Sequence, residues 1–321
     1  MPSDTSFNPG WGMQLRILAT SVLVFGLVAL IVGILLNAFG AGGSGSVFVW
    51  LLVSLLMLAV QWYFGPVIIK WATGAKEMQQ KDSPEIFEIV QKLTRKANLP
   101  MPKLYLVNNP SPNAFAFGRT QKDSNIAVHA GLLSALNREE VEGVLAHEIG
   151  HINNRDVAVM TIASVIPVAL YYGVLIFGSD REGRNSIFTF IGAFAAQFLG
   201  QLMVMWLSRQ REYFADEFSA RLTGNPAGLM SALAKISYGS AGGARQGTAG
   251  SSMVKALYFA EPEGKMNVAE IAGAIRGGND AALADAIAKE KKGGAFELVM
   301  THPLTAKRLE NLLRVKKEIG A

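Results

Sequence analysis

The chain has 321 residues, of which 50% are hydrophobic and 17% are charged. Because soluble domains carry about a quarter charged residues, the composition excludes intrinsic disorder and argues against an ordinary soluble globular protein. The formal net charge of +5 is too dispersed to indicate a nucleic-acid partner. The absence of cysteine excludes disulfides, thiolate catalysis and cysteine-ligated zinc sites.

Two long apolar segments follow one another near the N-terminus. No Asp, Glu, Lys or Arg lies between Arg16 and Lys70, and a break rich in Gly and Ser at 39–46 separates segment 17–38 from segment 47–69. Each segment is long enough to cross the ~30 Å hydrocarbon core as a helix. The first is too long for a cleaved signal peptide and a second follows at once, so we predict a transmembrane hairpin.

Two further charge-free windows, 157–179 and 185–208, predict a second transmembrane hairpin. Pro167 interrupts the first window, and two glutamines interrupt the second. The alternative is therefore a buried helical hairpin inside the soluble part of the protein.

Basic residues predict the orientation of the hairpins. The loop inside the first hairpin is uncharged, whereas Arg16 precedes the hairpin and Lys70 follows it. The positive-inside rule therefore places the N-terminus and the segment after Lys70 in the cytoplasm. The second hairpin agrees weakly, because two arginines, Arg181 and Arg184, lie at its tip against three at its base: Arg155, Arg209 and Arg211.

The polar regions 71–156 and 209–321 are each too short for a substantial core, so we predict one domain assembled from both. The membrane hairpins then occupy 14–70 and 157–208. The predicted fold is mainly α, with four transmembrane helices and a cytoplasmic α+β domain that contains a small sheet.

Local signals predict the elements of this domain. Asn137 can cap a helix whose Glu140 completes a capping box, and Gly224 with Pro226 ends the helix that leaves the second hairpin. We predict strands at 103–107, 114–117 and 126–129, and further helices at 84–98, 226–237 and 303–319.

The motif His147-Glu148-Ile149-Gly150-His151 lies on the capped helix. Residues four apart share a helix face, so both imidazoles can reach one ion. Two neutral histidine nitrogens suit Zn²⁺, whose catalytic sites hold three protein ligands and keep one position for water. Glu148 can then accept the proton of that water. The motif predicts metal-assisted amide hydrolysis with one zinc ion per chain.

A downstream carboxylate is the predicted third ligand. Glu212 and Asp216 lie four residues apart on one helix face, so Glu212 would bind zinc and Asp216 would hold a histidine ring from behind. A solvated pair of carboxylates is the alternative. Asp156 is predicted either to support the metal site or to be only a charge at the membrane boundary, and His129 to be a structural residue of its strand.

Together these motifs resemble the HtpX-type membrane zinc metalloproteases, which share a superfamily with the prenyl-protein endopeptidases. The resemblance rests on the zinc motif, on Glu212-x-x-x-Asp216, and on Thr301-His302-Pro303 with Arg308. Leu304 stands where the family has a second proline, a departure at a helix start. The resemblance implies a zincin-like protease domain.

The resemblance also implies roles for residues outside the zinc motif. His302 and Arg308 would stabilise the oxyanion of the tetrahedral intermediate. An edge strand would bind substrate in an extended conformation, and it comprises Asn113, Ala114, Phe115, Ala116, Phe117 and Gly118. A purely structural strand, and a plain helix start at Pro303, are the respective alternatives.

The predicted function is a zinc endopeptidase that cleaves misfolded or damaged membrane proteins near the cytoplasmic membrane face. The resemblance implies a bacterial-type inner membrane and a quality-control role in stress response. The alternatives are a processing protease for lipidated or membrane peptides and a catalytically idle membrane scaffold that binds metal. The predicted partners are membrane-protein or unfolded polypeptide substrates and the lipid bilayer, without nucleic acid. Homo-oligomer formation stays open.

Overall fold

The computed structural model describes residues 44–178, 186–239, 268–290 and 300–321. The described helices are α1 (Ser44–Thr73), α2 (Pro84–Lys96), α3 (Ala130–Ala135), α4 (Arg138–Asn153), α5 (Asp156–Ala163), α6 (Val165–Phe177), α7 (Ile187–Thr223), α8 (Pro226–Gly239), α9 (Val268–Arg276), α10 (Asp280–Glu290) and α11 (Thr305–Ile319). The strands are β1 (Lys76–Glu77), β2 (Lys103–Val107), β3 (Ala114–Gly118) and β4 (Ser124–His129). A mainly helical protein with a small mixed sheet confirms the coarse fold prediction.

Three described segments are long and apolar enough to cross a membrane: Leu51–Thr73, Asp156–Phe177 and Ile187–Thr223. The predicted segment 17–38 lies outside the described residues, so four spans remain a prediction. The window 157–179, predicted as part of the second transmembrane hairpin, is broken at Ser164, between α5 and α6. Pro167 explains the break, because it lacks the N–H that would bond to the carbonyl four residues earlier.

The described residues fall into two compact units. One comprises residues up to Gly74 together with Ser164–Gly200, and the other comprises Ala75–Ala163 together with Gln201–Ala321. In the first unit α1 packs on α6. The second unit contains the sheet and every residue of the predicted metal site.

The sheet of the second unit has the strand order β1-β2-β4-β3. Strand β4 pairs in parallel with β2 and antiparallel with β3, where Ala116 lies opposite Ile126. Strand β3 therefore forms one edge of the sheet. Gly118 ends this strand with φ +153°, and a Cβ there would lie 2.1 Å from the carbonyl oxygen of Asp123. Only glycine fits this close approach.

Helix α4 lies at the centre of the second unit, in contact with β3, α2 and α8. It begins as predicted, because Asn137 caps it and Glu140 completes the capping box. Its residues Val144, Leu145 and Ile149 are fully buried in the apolar core. Burial on several sides holds the zinc motif on a rigid element.

Glu140 connects α4 to α8 through a buried cluster of hydrogen bonds. Its carboxylate accepts hydrogen bonds from the Asn137 backbone N–H at 2.9 Å, from Ser231 Oγ at 2.6 Å and from Lys235 Nζ at 2.7 Å. Burial raises the pKa of Glu140, but the hydrogen bonds from Lys235, Ser231 and the backbone outweigh burial and lower this pKa below its ordinary value of 4.5.

We expect Glu140→Ala to lower the free energy of unfolding by about 2 kcal/mol, because a helix cap and a hydrogen bond from an ammonium group are lost. Since folding lowers the pKa of Glu140, its stabilisation is complete above 4.5 and disappears as the pH falls through the folded value. Thermal unfolding in detergent should therefore separate variant from wild type near neutral pH and less at about pH 4. The exposed Glu139→Ala is the control, and a difference independent of pH would contradict the prediction.

Candidate metal centre

The site forms where α4 and α7 approach each other closely. Gly150 lies between the two histidines in sequence, and a Cβ at this position would be 3.1 Å from the Cα of Ala215 on α7. The absence of a side chain lets the two helix backbones approach. Farther along, Ser219 Oγ donates a 2.8 Å hydrogen bond to the carbonyl of Gly143. These contacts place Glu212 of α7 opposite the zinc motif.

His147, His151 and Glu212 converge on one point. The two Nε2 atoms are 3.0 Å apart. Glu212 Oε2 lies 3.6 Å from Nε2 of His147, and Glu212 Oε1 lies 3.6 Å from Nε2 of His151. One donor atom from each of the three residues lies within 4.8 Å of the others, so the group could hold a metal ion. The structure thus brings together the three residues that were predicted as ligands.

Each imidazole is held from behind by an aspartate. Nδ1 of His147 lies 2.9 Å from Asp216 Oδ1, and Nδ1 of His151 lies 2.5 Å from Asp156 Oδ2. A ring that donates from Nδ1 presents the lone pair of Nε2 toward the other face. Both Nε2 atoms therefore face the Glu212 carboxylate as ligands for a cation.

The charge of the site also fits a divalent cation. Four carboxylates, all nearly excluded from water, surround the two rings: Glu148, Asp156, Glu212 and Asp216. Burial lowers the pKa of His147, but the carboxylates of Asp216 and Glu212 outweigh burial and raise this pKa to about 9. The raised pKa means that the carboxylates around His147 favour a positive charge at this position. A bound metal cation would supply that charge. The residues present fit a metal ion.

Glu148 is buried beside the ligands rather than among them. Its Oε2 accepts a 2.7 Å hydrogen bond from the backbone N–H of Ala116 on β3. Burial raises the pKa of Glu148 above its ordinary value. A carboxylate with a raised pKa and a fixed orientation is suited to accept and return a proton near neutral pH.

The structure places His302 and Arg308 differently from each other. His302 Nδ1 lies 3.5 Å from Glu212 Oε1, at the ligand group. Arg308 is 1% exposed and lies behind the ligands. Its guanidinium donates to both oxygens of Asp216 at 2.9 and 2.6 Å and approaches Glu212 at 3.3 Å. These contacts favour a positioning role for Arg308, while its predicted oxyanion role stays a prediction.

A family model supplies the decisive comparison. The model of peptidase family M48 matches residues 80–316, a region that includes every residue of the candidate metal centre. The chain belongs to peptidase family M48. The three candidate membrane helices among the described residues and the relatives below make it a membrane metalloprotease of the HtpX type within this family.

Relatives of the M48 chain include several that carry the name Protease HtpX homolog. One from Pyrococcus abyssi is 34% identical over 97% of the chain and 99% of its own length. Others come from Methanothermobacter thermautotrophicus, 36% identical over 70% of the chain and 86% of the relative, and from Bifidobacterium longum, 31% identical over 94% and 92%.

A solved structure, S. mikatae Ste24p, resembles the M48 chain in fold. The TM-score is 0.56 at 16% sequence identity, and the match covers 94% of this chain. The chain spans 66% of the length of that larger protein. At this identity the likeness concerns the fold alone.

Sequence reasoning missed two arginines near the M48 site. Arg211 Nε lies 3.4 Å from Asp156 Oδ2, and Arg209 Nη1 donates a 2.7 Å hydrogen bond to the carbonyl of Met300, two residues before His302. Both arginines follow an apolar window, where basic residues ordinarily report membrane orientation. No local pattern in the sequence distinguishes an arginine that marks membrane orientation from an arginine that contacts the metal site.

Proposed function

We propose that the chain is a zinc-dependent endopeptidase that cleaves misfolded or damaged membrane proteins near the cytoplasmic face of a bacterial-type inner membrane. The observation that carries the proposal is the convergence of His147, His151 and Glu212 with a buried, oriented Glu148 beside them. Two imidazoles and one carboxylate are the protein ligands of several catalytic zinc sites.

The proposed reaction assigns a task to each residue of the site. A zinc ion held by the three ligands supplies Lewis acidity toward a water molecule and the scissile carbonyl. Glu148 accepts a proton from that water and returns it to the leaving amine, with its orientation set by the Ala116 N–H. His302, beside Glu212, donates to the developing oxyanion. Asp216, bound to Arg308, holds the ring of His147.

Edge strand β3 supports the proposed binding of extended substrates along 113–118. The carbonyl of Asn113 accepts a hydrogen bond from the His129 N–H, whereas the Ala116 N–H points away from β4, toward Glu148. Backbone groups alternate along an antiparallel strand. Those of Ala114 and Gly118 therefore point to the same side of β3 as the Ala116 N–H, away from β4 and next to Glu148. We propose that a substrate strand pairs with β3 on this side.

The sequence supports cleavage near the membrane. An apolar window opens at Val157, six positions after His151, and another closes at Ser208, four positions before Glu212. Basic residues on one side of the N-terminal hairpin support cytoplasmic placement. An edge strand reads backbone more than side chain, which suits unfolded segments of many sequences.

We expect purified protein in detergent to contain one zinc ion per chain by elemental analysis and to cleave casein. A chelator should abolish cleavage, and added zinc should restore it, because the zinc ion would supply the Lewis acidity of the proposed reaction. In liposomes, a destabilised membrane protein should be cleaved faster than its folded form. Cleavage that survives complete zinc removal would contradict the proposed enzyme, and equal cleavage of both forms would contradict quality control.

A further inference from the structure

The turn after α4 directs Asp156 back toward the metal site. Helix α4 ends at Asn153, and Arg155 adopts a left-handed conformation with φ +55°. This conformation is uncommon for a residue with a side chain. It separates α4 from α5, and Asp156, the first residue of α5, has its carboxylate 2.5 Å from Nδ1 of His151. The Asp156 side chain is 5% exposed.

Arg211 of α7 contacts the same aspartate. Its Nε lies 3.4 Å from Asp156 Oδ2, and its Nη1 donates a 3.4 Å hydrogen bond to the Asp156 main-chain carbonyl. The guanidinium therefore contacts both the side chain and the backbone of this residue. The contact between Nε and Oδ2 is an ion pair without a hydrogen bond, so Arg211 acts on the carboxylate through its charge and on the Asp156 backbone through its hydrogen bond.

The arrangement repeats the one behind the other histidine. There, Nδ1 of His147 faces Asp216, and Arg308 binds Asp216. Behind each histidine ring of the zinc motif, an aspartate carboxylate therefore contacts Nδ1, and an arginine guanidinium contacts that carboxylate. The two sets come from different elements, because Asp216 and Arg308 lie on α7 and α11 whereas Asp156 and Arg211 lie on α5 and α7.

We propose that Asp156 is a positioning residue for metal binding: with Arg211 it fixes the ring orientation and tautomer of His151 so that Nε2 faces the metal site. This inference rests on the proposed function, since the proposed function makes His151 a zinc ligand. Hydrogen-bond partners of this kind raise the metal affinity of a protein about 10- to 100-fold.

A structural role for Asp156 makes a different prediction. An acidic residue in the first turn of a helix stabilises that helix through its dipole and free N–H groups. If this were its only purpose at α5, serine would replace it well, because serine also favours helix starts. Serine is too short to hold the His151 ring at hydrogen-bond distance.

The test is a zinc competition titration of the full-length protein in detergent against a chelator of known affinity. We expect Asp156→Ala and Asp156→Ser to weaken zinc binding about 10- to 100-fold, and Asp156→Asn, which keeps an acceptor oxygen, to weaken it less. Arg211→Ala should weaken binding to a smaller extent, and combining it with Asp156→Ala should add little, because the carboxylate that it holds is already gone.

Matched controls separate the outcomes. Asp123→Ala removes a half-exposed aspartate that pairs with Arg119 and should leave zinc affinity unchanged. Wild-type zinc affinity in Asp156→Ser would overturn the inference and leave the proposed function intact. If Asp156→Ala weakened zinc binding and Asp156→Ser did not, Asp156 would act only by stabilising the start of α5. An unsubstituted protein that binds no zinc would overturn both proposals.

Discussion

Replacement of Glu148 by Gln should abolish peptide hydrolysis and leave the zinc content unchanged. Glu148 is not one of the three residues that converge as ligands, and its carboxylate is held beside them by the Ala116 N–H. A glutamine side chain has nearly the same shape and keeps an acceptor for this N–H, but it cannot take up a proton. Loss of a general base lowers turnover by about 10²- to 10⁴-fold.

The measurement combines elemental analysis with casein cleavage on the same preparation. Self-cleavage fragments of the unsubstituted protein should also be absent from the variant. Glu142→Gln is the matched control, because Glu142 lies on the same helix and pairs with Lys92 at the surface. Substantial hydrolysis by Glu148→Gln, or loss of zinc together with activity, would refute the assignment of Glu148 as general base.

Replacement of Arg308 by Met should cost about 3–5 kcal/mol of folding stability, because it leaves buried carboxylates without their cation. Arg308 contacts Asp216 through two hydrogen bonds and approaches Glu212 at 3.3 Å, and all three side chains are at most 4% exposed. Burial lowers the pKa of Arg308, but these carboxylates outweigh burial and raise it, so the guanidinium stays charged.

Thermal unfolding in detergent measures this loss, and zinc titration should show weaker binding, because Asp216 no longer holds His147 firmly. His302→Ala should behave differently, with a lower kcat, unchanged zinc content and a nearly unchanged melting temperature. Arg314→Met is the control for Arg308→Met, since Arg314 lies on the same helix with 66% of its side chain exposed. If Arg308→Met lost only turnover, the predicted oxyanion role of Arg308 would be favoured instead.

Local patterns were sufficient for much of the fold. Strand β2 has the predicted bounds, α7 ends at Thr223 as predicted, and α4 begins after the predicted cap. Each of these signals is contained within a few residues, as hydrophobic alternation, a Gly-Asn-Pro stop or a capping box. The break at Ser164 was not predicted, although Pro167 interrupts this window. An apolar window by itself does not show where a helix bends.

The sequence by itself determined which residues are candidates for the chemistry. The spacing of His147, Glu148 and His151 places them on adjoining positions of one helix, and Glu212 with Asp216 on another, because helical periodicity is a local property. Only the tertiary structure decided what these residues contact. The packing of α4, α5, α7 and α11 decides three features: the hydrogen bond between Asp156 and His151, the ion pair of Arg211 with Asp156, and the burial of Arg308. That packing depends on contacts between residues far apart in the chain.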